Sequence, residues 1–189
     1  IAPKGQDIRF AEDRVEQGRN FCNKLWNVSR FRRMSGEARD NSSLDAILAR
    51  IDPRQLDAED HAILSRLIET LDRVERDHLE YEFNSVLHAI YRFFWSDFCD
   101  WYVEVSKAKL RDDDLRETCL AVQDLCLRQT LLLLHPVTPF ITEELWQRLG
   151  YADDESSIQY LDPGEGKDLA QSLAVQGVSL DRDAGTEVG

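Results

Sequence analysis

The sequence predicts an all-α fold: a helical bundle of about four long helices and one or two short ones, with mostly antiparallel neighbours. Three observations carry this. Apolar residues recur at helical spacing through successive stretches of the chain. Residues that start and stop helices bracket those stretches. Nowhere does a period-2 alternation with turn punctuation occur, and there is no internal repeat. With 189 residues, 42% of them hydrophobic, the chain can bury one substantial domain and still carry a tail.

The first helix is expected from about Glu12 to Arg33. Acids sit in its first turn and Arg30, Arg32 and Arg33 in its last, which suits the helix dipole, and Ser35-Gly36 stops it. Residues 35–43 read as a polar loop, and Leu44 to Ile51 as a short helix that ends before Pro53. Asp57 is the expected N-cap of a second long helix, striped by Ile63, Leu67, Leu71 and Val74 and ending near Leu79. A third helix is expected from Glu82 to about Lys109, with Phe83, Leu87, Ile90, Phe94, Phe98, Trp101 and Val105 in one stripe. At ~1.5 Å per residue it would be ~42 Å long and span the bundle. Asp97 falls inside that apolar arc, so it needs a donor from a neighbouring helix.

Residues 111–114 (Arg-Asp-Asp-Asp) form the next connection. The fourth long helix, about Leu115 to Leu134, carries two apolar stripes and should be covered on much of its surface. His135-Pro136 breaks it. Thr138 at N-cap, Pro139 at N1 and Glu143 and Glu144 in the first turn open a fifth helix that ends at Gly150. Two units follow: a bundle over residues 1–150, and a C-terminal tail over 151–189 that is either loosely ordered or packed across the bundle. The tail holds one weak helical piece, Lys167 to Val175. Lacking a sustained apolar stripe, it should add little stability.

Several function classes find no support. No apolar run approaches the ~20 residues of a membrane span, and no secretory signal is present. The chain begins Ile-Ala-Pro-Lys without an initiator methionine, which reads as a piece of a longer cytoplasmic protein. Cys22, Cys99, Cys119 and Cys126 show no C-x-x-C spacing and read as reduced core thiols. His61, His78, His88 and His135 are scattered; no glycine-rich phosphate loop, nucleophile–base set or metal-ligand cluster is recognisable.

The first helix is different. At about 100° per residue, Val15, Gly18, Phe21, Cys22, Leu25, Val28 and Ser29 form a core stripe. Asn20, Asn23, Lys24, Asn27 and Phe31 fall opposite, with Arg19 and Arg30 at the border. Amides read base edges, cations neutralise phosphate, and an exposed aromatic stacks on a base. The alternative is a polar solvated face with one stray aromatic, and Trp26 reads as a packing residue. The whole chain carries −13. Residues 1–33 hold eight Lys/Arg (Lys4, Arg9, Arg14, Arg19, Lys24, Arg30, Arg32, Arg33) against Asp7, Glu12, Asp13 and Glu16. That segment is therefore +4 and the remainder −17. An acidic protein with one basic strip binds RNA there and poorly elsewhere, with low, salt-sensitive affinity.

Residue identities add a resemblance. Gly5-Gln-Asp-Ile-Arg-Phe10 followed by Val15-Glu-Gln-Gly-Arg-Asn-Phe-Cys-Asn-Lys-Leu-Trp-Asn-Val-Ser-Arg-Phe31 resembles the start of the anticodon-binding domain of bacterial-type valyl-tRNA synthetases. Ile63-Leu-Ser-Arg-Leu67, Phe93-Phe-Trp-Ser-Asp-Phe-Cys-Asp-Trp-Tyr102 and Leu134-His-Pro-Val-Thr-Pro-Phe-Ile-Thr-Glu-Glu-Leu-Trp146 follow in the family's order. The last run is shared with leucyl and isoleucyl relatives; the asparagine-rich first helix is more specific. The resemblance covers about residues 1–150. It implies the class I aminoacyl-tRNA synthetase anticodon-binding fold and a role in recognising the anticodon arm of valine tRNA. Lys24, Asn27, Arg30 and Phe31 match the family's anticodon-contacting positions, with Arg19, Asn20 and Asn23 as further candidates. It also implies a monomer that works beside the catalytic domain of the same chain. ATP and Mg would belong to that domain, whose His-x-Gly-His and Lys-Met-Ser-Lys-Ser signatures are not in this sequence. The chain alone is therefore expected to bind no cofactor and to charge no tRNA. A helical protein-interaction module without an RNA role is the alternative.

Overall fold

The structure, a computed structural model, describes residues 12–36, 41, 43–151, 157–161, 168–178 and 180. Its α-helices in chain order are α1 Glu12–Met34, α2 Leu44–Ala49, α3 Ala58–Leu79, α4 Phe83–Arg92, α5 Val103–Ser106, α6 Asp113–Leu134, α7 Pro139–Arg148 and α8 Leu169–Val175. A wide-turned π-helical segment, Phe93–Tyr102, joins α4 to α5 without a break. Single 3₁₀ turns occur at Pro53–Gln55, Lys109–Arg111 and Ile158–Tyr160. The described residues contain no strand.

Helix starts follow their side chains. Ser43 caps α2 by accepting from the Ala46 N–H. Asp57 caps α3 reciprocally with Asp60: each carboxylate accepts the other's backbone N–H at 3.1 Å. Asp112 accepts from the Asp114 N–H at the start of α6. Thr138 occupies the N-cap of α7, but its hydroxyl donates back to the Leu134 carbonyl instead of capping. Glu143 and Glu144 lie beyond the first turn of α7, not within it as expected. Gly150, at φ +73°, supplies the left-handed turn after that helix.

Helix α6 is the centre of the bundle and packs against α1, α2, α3, α4 and α7. Every residue from Thr118 to Leu132 is buried, as two apolar stripes on one helix require. Gly36 shows how closely the end of α1 approaches α6: a β-carbon there would meet Leu120 Cδ1 at 2.8 Å.

Three expectations need correction. The third long helix is not one regular helix. In its middle the backbone takes the i→i+5 register, which adds a residue per turn and rotates everything downstream. Buried positions therefore run Ala89, Ile90, Phe93, Phe94, Phe98, Cys99, Tyr102, Val103 and Ser106. Phe83 and Val105, at the ends of the expected stripe, are 53% and 37% exposed. The core stripe of α1 also starts late: Val15 and Gly18 are exposed, Phe21 and Cys22 half-buried, and full burial begins at Leu25. Finally, the described residues after Gly150 reach the core. Tyr151, Ile158, Leu169, Leu173 and Val178 are buried in the main apolar cluster, which argues against a tail that adds little stability. Residues 1–11, 37–40, 42, 152–156, 162–167, 179 and 181–189, including parts of the quoted sequence motifs, lie outside the described residues.

Candidate nucleic-acid interface

The outer face of α1 is built from its own periodicity. With Arg19 as origin, Arg30 falls at ~20°, Asn23 at ~40°, Asn27 at ~80° and Asn20 at ~100°. All five side chains are exposed. Arg19 pairs with Glu16 at 3.0 Å. Asn20, Asn23, Asn27 and Arg30 make no hydrogen bond or ion pair with any described residue. Three amides and a guanidinium thus stand on consecutive turns with their donors and acceptors unused by the fold.

Lys24 and Phe31 lie at ~140° and ~120°, at the edge of this arc and not at its centre. The border differs from the expected one: Arg19 and Arg30 are within the solvent arc, whereas Lys24 and Phe31 turn toward neighbouring helices. The assumed exposure of Phe31 is therefore corrected. Its ring is half-buried against both apolar clusters, the smaller of which comprises Leu110, Cys119 and Leu120. The Lys107 ammonium lies 5.9 Å from its centroid. Lys24 pairs with Asp100 at 2.5 Å and sits 3.9 Å from the centroid of Trp95. Trp26 packs beside the core under the Arg148 guanidinium, as its position off the polar face suggested.

Behind this surface α1 is anchored by charge. Arg32 is 1% exposed and donates to Asp124 Oδ2 at 2.5 Å and to the Gly36 carbonyl at 3.2 Å. Asp124, fully buried, also receives Arg50 Nη1 at 3.0 Å and the Tyr151 hydroxyl at 3.0 Å. Arg50 extends the network to Glu117 and, through a short hydrogen bond, to Asn41. Arg32, expected only as one of the last-turn cations that suit the helix dipole, lies on the core side of α1 and meets an acid in α6, which buries sixteen residues.

On the other flank, Asp97 finds the partner its burial demanded: Arg66 Nη1 at 3.1 Å, with that guanidinium 4.7 Å from the Trp101 ring. Burial still pushes the Asp97 carboxyl above its ordinary range, and Arg66 and Arg92 only partly offset it. The four cysteines are free. Burial raises the Cys99 thiol to about 12 and Cys119 to about 11, so both stay protonated and poorly nucleophilic at neutral pH. Among the described residues no group of three or more His, Cys, Asp or Glu side chains is placed to hold a metal ion, and no helix is long and apolar enough to cross a membrane.

The described residues form an all-helical bundle, and the comparisons with known proteins give its family. The model of the family described as the anticodon-binding domain of tRNA ligase matches residues 60–174, from α3 through most of α8. The chain belongs to that family. Helix α1 precedes the matched span. Among similar curated proteins, the valine–tRNA ligase of Anoxybacillus flavithermus is 40% identical over 156 residues, covering 82% of this chain and 17% of that protein. The valine–tRNA ligase of Syntrophotalea carbinolica is 43% identical over 151 residues (79% and 16%). That of Bacillus subtilis is 38% identical over 156 residues (82% and 17%). The chain spans about one-sixth of the length of these relatives.

Proposed function

We propose that this chain is the anticodon-binding domain of a valine–tRNA ligase and receives the anticodon arm of valine tRNA on the outer face of α1. The observation that carries the reading is the arc of Asn20, Asn23, Asn27 and Arg30, exposed and without partners among the described residues. Valine codons begin GU, so the anticodons present A and C at their second and third positions. Asparagine amides can donate to and accept from those base edges, and Arg30 can hold a phosphate or a base. Lys24 and Arg19 add positive charge on either side. Phe31 retains a partly open ring at the C-terminal end of the arc, so any stacking uses that remaining surface. The domain works as a monomer in the cytoplasm, beside a catalytic domain that carries out ATP- and Mg-dependent charging.

Residues 1–33 carry +4 by count in a chain of −13. Arg32 among them is spent inside on Asp124, so the cations left to attract phosphate on the described part of α1 are Arg19, Lys24, Arg30 and Arg33. The test is an NMR titration of the chain with a valine anticodon stem-loop, a method that reads weak binding. The side-chain amide signals of Asn20, Asn23 and Asn27 should shift together and saturably, and the shifts should collapse as salt rises. Shifts confined to α3 or α7 would overturn the placement on α1, and no saturable shift anywhere would overturn the RNA role and favour the protein-interaction alternative.

A further inference from the structure

We propose that Trp95 and Asp100 form a two-part seat for Lys24. Trp95 positions the ammonium for an RNA phosphate, and Asp100 is the counter-ion that the phosphate displaces. The inference rests on the α1 reading above and extends it to the π-helical segment Phe93–Tyr102.

The seat exists because of the π register. Trp95 and Asp100 are five residues apart. In an α-helix five residues turn ~500°, leaving two side chains ~140° apart. The i→i+5 register of Phe93–Tyr102 brings the fifth residue back toward the same side. Both groups consequently reach one cation on α1: Asp100 Oδ1 at 2.5 Å and the Trp95 ring centroid at 3.9 Å from Lys24 Nζ.

The two halves are not equivalent. Trp95 is fixed. It stacks on Tyr91 at 5.4 Å and 13°, Tyr91 stacks on Phe21 at 5.5 Å and 26°, and Phe21 meets the fully buried Phe94 edge-on at 5.2 Å. This column runs from the core to the ammonium and gives it a rigid aromatic face. Asp100 has no such support: its side chain is 56% exposed, against 23% for Lys24. An ion pair that open contributes little to stability. Its carboxylate does present to the ammonium the charge and acceptor oxygens that a phosphate presents. Phosphate can replace it from the solvent side while Lys24 stays over Trp95. The other flank of the same segment holds Arg66 between Asp97 and Trp101. That cation belongs to α3 and is not flanked by the α1 amides.

The test is a double-mutant cycle on binding of a fluorescent valine anticodon stem-loop to the chain, with thermal melts as the folding control. Lys24→Ala should weaken binding and make its salt dependence shallower. Trp95→Leu should raise Kd about three- to tenfold, whereas Trp95→Phe, which keeps an aromatic face, should stay within about twofold. Asp100→Asn should lower Kd, because the competing carboxylate is gone. In the Lys24→Ala background Trp95→Leu and Asp100→Asn should each have no further effect. Equal effects of either substitution with and without Lys24 would overturn the seat while leaving the α1 reading intact. Weaker binding by Asp100→Asn would overturn the exchange. Unchanged binding by Lys24→Ala would also overturn the seat, whereas the α1 reading falls only if Asn27→Ala and Arg30→Ala bind the stem-loop as tightly as the wild type.

Discussion

Phe31 shows how little separates a recognition residue from a packing residue. It lies ~120° from Arg19 around α1, and at that angle the neighbouring elements decide its exposure. Leu110, Cys119 and Leu120 come from α6 and the turn before it, and they cover part of the ring. Phe31→Ala should therefore cost about 1–2 kcal/mol of stability, below the ~3–5 kcal/mol of a fully buried phenylalanine. Urea denaturation checks this, and an unchanged midpoint would restore the ring to solvent. The exposure of the asparagines was legible because polar residues on the outside of an amphipathic helix need no tertiary information, whereas Arg30, expected at the border, lies within the solvent arc. Lys24 and Phe31 were misplaced because they sit on the border, where a rotation of ~30° changes the answer. Asp57 was legible as a cap, but its second partner was not. Burial works to raise its pKa, yet the Lys109 ammonium and the Asp60 backbone N–H hold the carboxyl at about 2, below its ordinary 3.8. A depressed carboxylate stabilises the fold fully above its unfolded value and loses that contribution as pH falls through its folded value. Wild-type stability should thus drop between about pH 4 and pH 2. Asp57→Asn should be less stable at neutral pH and show a flatter profile over that window, measured by denaturation at each pH.

Among the elements, the helix that changes register departs furthest from its sequence pattern. Helical spacing located the stretch, expected from Glu82 to about Lys109, and its apolar character, and a donor from a neighbouring helix for the half-buried Asp97 followed from chemistry alone. The shift to i→i+5 did not, because a fixed 100° template cannot register an added residue per turn. That shift places Trp95 and Asp100 together. Helix α1 raises a similar problem of long-range information. Arg32 is joined to Asp124 across 92 residues of sequence, and no local pattern announces such a pair. Asp124 gathers Arg32, Arg50 and Tyr151 from three separate parts of the chain. Asp124→Ala would leave the buried Arg32 guanidinium without its carboxylate and Arg50 with that of Glu117 alone. It should destabilise the bundle by about 3–5 kcal/mol, read as a large fall in the urea midpoint. Conservation of the midpoint within ~1 kcal/mol would show that the network does not hold α1 in place.

At the scale of the whole molecule, the all-α class was legible because helical periodicity and caps agree over most of the chain. The role of the segment after Gly150 was not. Its apolar residues are too few and too widely spaced to form a stripe, yet they dock singly: Leu169 is 1% exposed and Leu173 0%. Leu169 and Leu173, one turn apart on α8, leave only the trace of the short helical piece, and Tyr151, Ile158 and Val178 leave none. Leu173→Ala should cost about 2–4 kcal/mol. Truncation after Gly150 should cost more, since it also removes Tyr151 from Asp124. A truncated chain with the melting temperature of the intact one would contradict this.

The central claim is that the outer face of α1 reads the second and third anticodon bases. The most direct measurement compares the Kd of the chain for a valine anticodon stem-loop with its Kd for stem-loops in which the A or the C is replaced. It is made for the wild type and for Asn27→Ala and Arg30→Ala. The account predicts that the wild type discriminates against each replacement by about 5- to 150-fold, on the scale of one lost base contact. It predicts that at least one of the two substitutions removes the discrimination at one base while the fold is retained. Equal affinity for all three RNAs, or discrimination untouched by both substitutions, would contradict it.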